Sequence, residues 1–188
     1  DVFKTFGNKE VSPAPFRRIP YKEAMEKYGS DKPDLRNPLI IEDITDILVK
    51  STFEPFKTSH IRSITVETID KSNSWYKKLE EEYKGEVVTS LGFLKIEDTI
   101  TGSMAKLFSE SEIKELTSLL NLEKGNVVIV VCGNKGEKLN KACGNIRLKL
   151  GNELNLIDRE KYEFCIIVDF PFYEWNEDEK KYDFTHNP

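Results

Sequence analysis

No stretch of this chain is apolar for the roughly 20 residues that a membrane-crossing helix requires. The first residues also lack the basic-then-apolar pattern of a secretory leader, so no membrane partner is expected. Histidine is scarce at two residues, and cysteine at three. Cys132, Cys143 and Cys165 are odd in number, lie among apolar neighbours and have no C-x-x-C spacing. That argues against a disulfide framework and a zinc site, and for a reducing compartment in which each thiol serves as a small core residue. An excess of positive charge is missing too. With 28 basic and 33 acidic side chains the net charge is −5, which excludes a surface that grips phosphate backbones all over and leaves local basic patches for such contacts. Neither complete glycine-rich phosphate motif, G-x-x-x-x-G-K-[ST] or G-x-G-x-x-G, is present. Gly133-Asn134-Lys135-Gly136 reads as a plain strand-to-helix turn.

What is present describes a globular chain. Its 188 residues are 38% hydrophobic, 11% aromatic and 32% charged, enough for one domain or one domain and part of another. The densest stretch is 28–36, Tyr-Gly-Ser-Asp-Lys-Pro-Asp-Leu-Arg, directly after a helical pattern over 21–28 that places Ala24, Met25 and Tyr28 on one face. Gly29 suits the positive φ that ends a helix, and Pro33 keeps the helix from resuming. Asp31, Lys32, Asp34 and Arg36 are then displayed from a stiff loop, either for a specific task or as a solvated turn.

Elsewhere the periodicity alternates between strand and helix. Residues 41–49 read as a short helix, 53–56 and 61–68 as strands, and 72–83 as a helix with the Glu80-Glu81-Glu82 run on its solvated side. A strand over 87–97 is expected to continue past a turn over 100–106. Ser109-Glu110-Ser111-Glu112 is a capping box opening a helix to Leu120. The β-branched run Val127-Val128-Ile129-Val130-Val131 reads as a buried central strand, and the following helix gathers Leu139, Cys143, Ile146 and Leu150 on one face. Residues 164–174 read as an apolar strand and 182–185 as a returning one. A chain that starts at Asp1 without methionine and stops at His186-Asn187-Pro188 reads as a piece of a longer protein.

The segment 23–36, Glu-Ala-Met-Glu-Lys-Tyr-Gly-Ser-Asp-Lys-Pro-Asp-Leu-Arg, closely resembles a signature of the bacterial-type aspartyl-tRNA synthetases. Val168-Asp169-Phe170-Pro171-Phe172-Tyr173-Glu174 is similar to that family's D-F-P-hydrophobic-aromatic-E strand, and Thr185-His186-Asn187-Pro188 to its H-H-P or H-N-P segment. Order and separation agree across the whole chain. Between these pieces the family carries an α+β insert, the GAD domain. Gly125-Asn126-Val127-Val128-Ile129-Val130 resembles its G-D-hydrophobic strand, and Ala142-Cys143-Gly144-Asn145-Ile146-Arg147 its L-G-x-L-R helix.

The resemblance implies an α+β fold: a GAD-type insert over 52–155, with a mostly antiparallel sheet covered by helices. Segments 1–51 and 156–188 of a class II synthetase catalytic domain flank it and meet in space. It implies an aspartate–tRNA ligase that uses ATP and Mg²⁺, is cytoplasmic and homodimeric as a full enzyme, and has tRNA, aspartate and ATP as partners. His186 falls on the family histidine that helps bind aspartate, whereas Asn187 departs from the second histidine of many members. Asp31, Lys32, Asp34 and Arg36 acquire no chemical step from the resemblance. The motif 2 and motif 3 arginines that place ATP are not in this sequence, so the chain alone is expected to be inactive with nothing bound, and the dimer-forming motif 1 is not in it either, so it is expected to be monomeric. The alternative is a non-catalytic module that docks tRNA or a protein, and the acidic balance predicts weak or no RNA binding for it.

Overall fold

Seven consecutive buried residues, Val127–Gly133, require a strand covered on both faces, since side chains along a strand point alternately to opposite sides. The structure, a computed structural model, meets that requirement and describes residues 2–176 and 179–184. Along the chain, α1 (Val2–Phe6), β1 (Glu10–Val11), β2 (Arg17–Pro20) and α2 (Tyr21–Tyr28) lead into the charged loop. Then come β3 (Ile41–Asp43), α3 (Thr45–Leu48), α4 (Glu54–Thr58), β4 (His60–Val66), α5 (Asn73–Tyr83) and β5 (Val88–Lys95). After these follow α6 (Glu110–Leu120), β6 (Val127–Gly133), α7 (Glu137–Glu153), β7 (Lys161–Tyr162), β8 (Cys165–Val168), β9 (Tyr173–Asn176) and β10 (Lys181–Phe184).

Strands β3, β4, β6 and β5 form, in that order, a four-stranded antiparallel sheet. On β6, Val127, Ile129 and Val131 face one core with Tyr76 and Leu79 of α5 and Leu139, Cys143, Ile146 and Leu150 of α7. Val128, Val130 and Cys132 face a second core with Leu48 of α3, Phe56 of α4 and Leu116 of α6. The capping box forms in full: Ser109 accepts from the Glu112 N–H, and the Glu112 carboxylate accepts from the Ser109 N–H at 2.7 Å.

The chain on either side of this unit does meet. β2 pairs in parallel with β8 and β1 with β7, over a small core of Ile19, Ala24 and Tyr28. The sheet also draws in residues before position 52, because Ile41 lies opposite Ile64 on β4, and Ile44 and Leu48 enter the second core.

Four expected elements differ. The helix over 41–49 is a strand followed by a single helical turn. The Asp43 Oδ1 accepts from the Thr45 N–H at 2.9 Å, starting the turn only after the ladder with β4 has ended. The strand over 53–56 is instead the start of α4, with Pro55 in its first turn, where a missing N–H leaves no helical bond unmade. Beyond a lone bridge from Lys95 to Thr101, residues 100–106 turn back at Gly102 (φ 121°) into a short 3₁₀ turn. The strand over 164–174 breaks at Asp169 (φ 57°) into β8 and β9.

Thiol chemistry gives a direct check on this burial. Desolvation pushes Cys132 and Cys143 up to about 12, while Cys165 is raised less and is only half-buried. In the native protein Cys165 is expected to react first with a disulfide reagent, and the other two only on unfolding. Time-resolved thiol titration with and without denaturant measures the difference.

Candidate functional site

Helix α2 stops at Gly29, whose φ of 68° lets its N–H close on the Met25 carbonyl at 3.1 Å. The glycine is needed for a second reason. It lies against Gly144 of α7, so that a Cβ on Gly144 would come within 2.7 Å of the Gly29 carbonyl oxygen. Two helices therefore touch backbone to backbone at the point where the charged loop begins.

Within the loop the four charges divide. Asp34 and Arg36 close on each other: Oδ1 of Asp34 accepts from the Arg36 N–H at 3.1 Å and from Nε at 2.9 Å, and Oδ2 accepts from the guanidinium at 2.8 Å. Hydrogen bonds from Arg36 hold the Asp34 carboxyl below the usual carboxylate range, and the same bonds raise the arginine. Asp31 and Lys32 pair at 3.3 Å on the solvent side, with Lys32 87% exposed. They stand at the lip of a cleft of about 440 Å³ between the loop and α7, whose far wall includes Lys141, Asn145 and Leu148.

The underside of the loop is held by a residue that reading the sequence did not single out as functional. Arg147 of α7 is 1% exposed. It donates to the carbonyls of Leu39 at 2.5 Å, Asn37 at 2.7 Å and Asp34 at 3.0 Å, and its guanidinium lies 5.1 Å from the centre of the Tyr28 ring. Asn37 reciprocates, donating from its side chain to the Arg147 carbonyl at 3.0 Å while its Oδ1 accepts from the Leu39 N–H at 3.1 Å. A Cβ on Gly151, one turn further along α7, would overlap the Asn37 amide nitrogen at 2.3 Å. Burial lowers Arg147, and Tyr28 and Asp34 oppose that shift. A signal for it was present: Arg147 follows Cys143 by four positions and precedes Leu150 by three, an arginine in the apolar face of a helix.

His186 lies outside the described residues. Among the described residues no group of three or more His, Cys, Asp or Glu side chains stands together to hold a metal, and no helix is long and apolar enough to cross a membrane. The arrangement is a clasp. It binds a loop to a helix through carbonyls and leaves Asp31 and Lys32 facing outward.

The Asp34–Arg36 pair carries a pH signature. A carboxyl with a folded-state value below its unfolded one contributes stability that is present above the ordinary carboxylate range and is lost as pH falls through the folded value. Asp34→Asn is therefore expected to lower the urea midpoint at pH 7 and to converge on the unsubstituted protein at acid pH. Paired urea melts at neutral and acid pH test this.

Residues 1–188 match the family model of the tRNA synthetases class II (D, K and N). The aspartate–tRNA(Asp/Asn) ligase of Rickettsia prowazekii (strain Madrid E) is 40% identical over 196 aligned positions, covering 100% of this chain and 32% of the relative. Those of Rickettsia canadensis (strain McKiel) and Rickettsia bellii (strain OSU 85-389) are 40% and 39% identical with the same coverage. The chain thus spans 32% of the length of these curated relatives.

Proposed function

This chain belongs to the class II tRNA synthetases of the D, K and N group, and from that premise we propose that it is the insert-bearing part of an aspartate–tRNA ligase, the parent protein cleaving ATP to AMP and pyrophosphate as it charges tRNA with aspartate through an aspartyl-adenylate. The observation that carries the reading is the placement of the 23–36 signature: its loop is clasped by α7 of the sheet-and-helix unit, while α2, from which it emerges, packs on the β2–β8 pair. Segments before and after the insert are thereby brought together, as a catalytic domain interrupted by an insert demands.

In this reading the stretch 52–155, joined structurally by 41–51, is a GAD-type insert, and 1–51 and 156–188 are the outgoing and returning catalytic segments. ATP and Mg²⁺ serve the parent enzyme, which is a cytoplasmic homodimer. Charge neutralisation on the ATP phosphates is what the metal supplies. The described residues offer no carboxylate cluster to hold it, and no step is assigned to them. His186 contributes an imidazole that donates to a substrate carboxylate or positions its amino group. The relatives carry the name aspartate–tRNA(Asp/Asn) ligase, and we extend that double specificity to the parent protein.

The test is aspartate-dependent ATP–pyrophosphate exchange. Exchange is expected from the full-length protein, followed by charging of both aspartate and asparagine tRNA. The 188-residue chain alone is expected to stay at background, because the arginines that place ATP in this family are outside it. Absence of exchange by the full-length protein overturns the reading, and charging of aspartate tRNA alone overturns the double specificity.

A further inference from the structure

Arg147 is an unusual core residue in what it binds. Its acceptors are three backbone carbonyls, and all three belong to one six-residue piece of chain, 34–39. Filling space at this point of α7 would be met by leucine or methionine. A guanidinium is required only where a rigid, planar fork must fix several acceptors at once. The fixing runs both ways, because Asn37 donates back to the Arg147 carbonyl. Beneath the guanidinium lies Tyr28, whose ring belongs with Ile19 and Ala24 to the small core under the β2–β8 pair. One side chain thus joins the insert helix, the charged loop and the catalytic-segment core. The close backbone approach of Gly29 and Gly144 lies at the same joint.

We infer that Arg147 is a positioning residue for amino-acid activation: by fixing the 34–39 carbonyls it sets the placement of α2, β2 and β8, so that the insert acts on the adenylate-forming step and not only on tRNA contact. This rests on the aminoacylation reading above. The route is a continuous chain of packed backbone and buried hydrogen bonds, the kind of connection through which one substitution shifts a distant equilibrium. A docking module for RNA would have no need of it, since such a module gains from exposed cations, whereas this arginine is wholly inside.

The experiment uses the full-length protein in four forms: unsubstituted, Arg147→Met, Arg147→Lys, and Leu116→Ala. The last is a control in the second core, on the opposite face of the sheet. Each is measured by aspartate-dependent ATP–pyrophosphate exchange without tRNA, by KM for tRNA in charging, and by hydrogen–deuterium exchange over 21–39. Arg147→Met is expected to lower kcat/KM for aspartate about tenfold, to speed amide exchange over 29–39 by a similar factor, and to leave KM for tRNA within about twofold. Arg147→Lys keeps the charge without the fork and is expected to recover little, and it stands in for Arg147→Met should that variant fail to fold. Leu116→Ala, compared at an equal or larger loss of thermal midpoint, is expected to leave aspartate kinetics and 29–39 protection within about twofold.

Equal losses in Arg147→Met and Leu116→Ala overturn the inference, as does an Arg147→Met effect confined to KM for tRNA. If the unsubstituted protein supports no aspartate-dependent exchange, it is the aminoacylation reading that falls. The role in activation falls with it, and the amide-exchange contrast between Arg147→Met and Leu116→Ala then decides only whether Arg147 fixes the 29–39 loop.

Discussion

Gly29→Ala is expected to open the clasp and lower stability by about 2–5 kcal/mol, from left-handed backbone strain of about 1–2 kcal/mol and overpacking of about 1–3 kcal/mol. The first contribution follows from φ of 68°. The second follows from what a Cβ would meet: the Asn140 carbonyl oxygen at 2.3 Å and the Gly144 Cα and N at 2.5 and 2.6 Å. Every one of these atoms is backbone of α7, so no side chain can swing away to make room. Two other glycines separate the contributions. Gly136 has φ of 143° and ψ of 179° with nothing within 4 Å of a Cβ, so Gly136→Ala is expected to lose stability through backbone strain without overpacking, in an extended conformation that only glycine adopts readily. Gly85 has neither a positive φ nor a neighbour within 4 Å, so Gly85→Ala is expected to stay within about 0.5 kcal/mol of the unsubstituted protein. Urea midpoints of Gly136→Ala and Gly29→Ala should both fall below that of Gly85→Ala. A Gly29→Ala loss no larger than the left-handed strain alone, about 1–2 kcal/mol, would mean that the two helices are not in backbone contact.

This glycine also shows what could be read from the chain alone. A glycine after a 3.6-periodic run, followed by Pro33, announces a helix end and a stiff loop without further information, and α2 ends where that reasoning puts it. The β-branched run in β6 and the apolar face of α7 were legible for a similar reason, because their periodicities are long and unmixed. Residues 41–49 were not. Ile44, Ile47 and Leu48 have helical spacing, yet the first three residues of that stretch gain more from pairing with β4 than three residues can gain from a helix whose nucleus is costly. The loop's charges were legible as a cluster but not as two pairs. What they do depends on which carbonyls face α7, and carbonyl direction leaves no mark in side-chain patterning. Arg147 was visible as an anomaly in an apolar stripe, while its acceptors, over a hundred positions away in sequence, were not.

Phe56 marks where a local misreading conceals a large energetic effect. Phe53 and Phe56 flank Glu54-Pro55, and this short aromatic run suggests a strand edge. With Phe53 just before α4 and Phe56 inside it, the two rings instead lie edge to face at 5.0 Å, and Phe56 meets Phe108 at 5.3 Å in the same manner. Phe56 is 1% exposed and closes the second core beside Ile44, Leu48 and Leu116, whereas Phe53 is only partly covered. Phe56→Ala is therefore expected to cost about 3–5 kcal/mol, from lost transfer energy and the cavity left behind, and Phe53→Ala distinctly less.

The form of the transition carries the stronger test. Trp75 sits over the first core, its indole N–H donating to Glu153 of α7 at 2.7 Å, on the face of the sheet opposite Phe56. If β6 couples the two cores, as a strand buried on both faces should, loss of Phe56 lowers equally the midpoints seen by far-UV circular dichroism and by Trp75 fluorescence, the latter read in a Trp175→Phe background because Trp175 on β9 also fluoresces. If α3 and α4 form a lid that melts alone, the two signals separate and fluorescence keeps its midpoint. Because Val128, Val130 and Cys132 pack against that lid from the central strand itself, a cavity there loosens β6, and coincident transitions are the expected result.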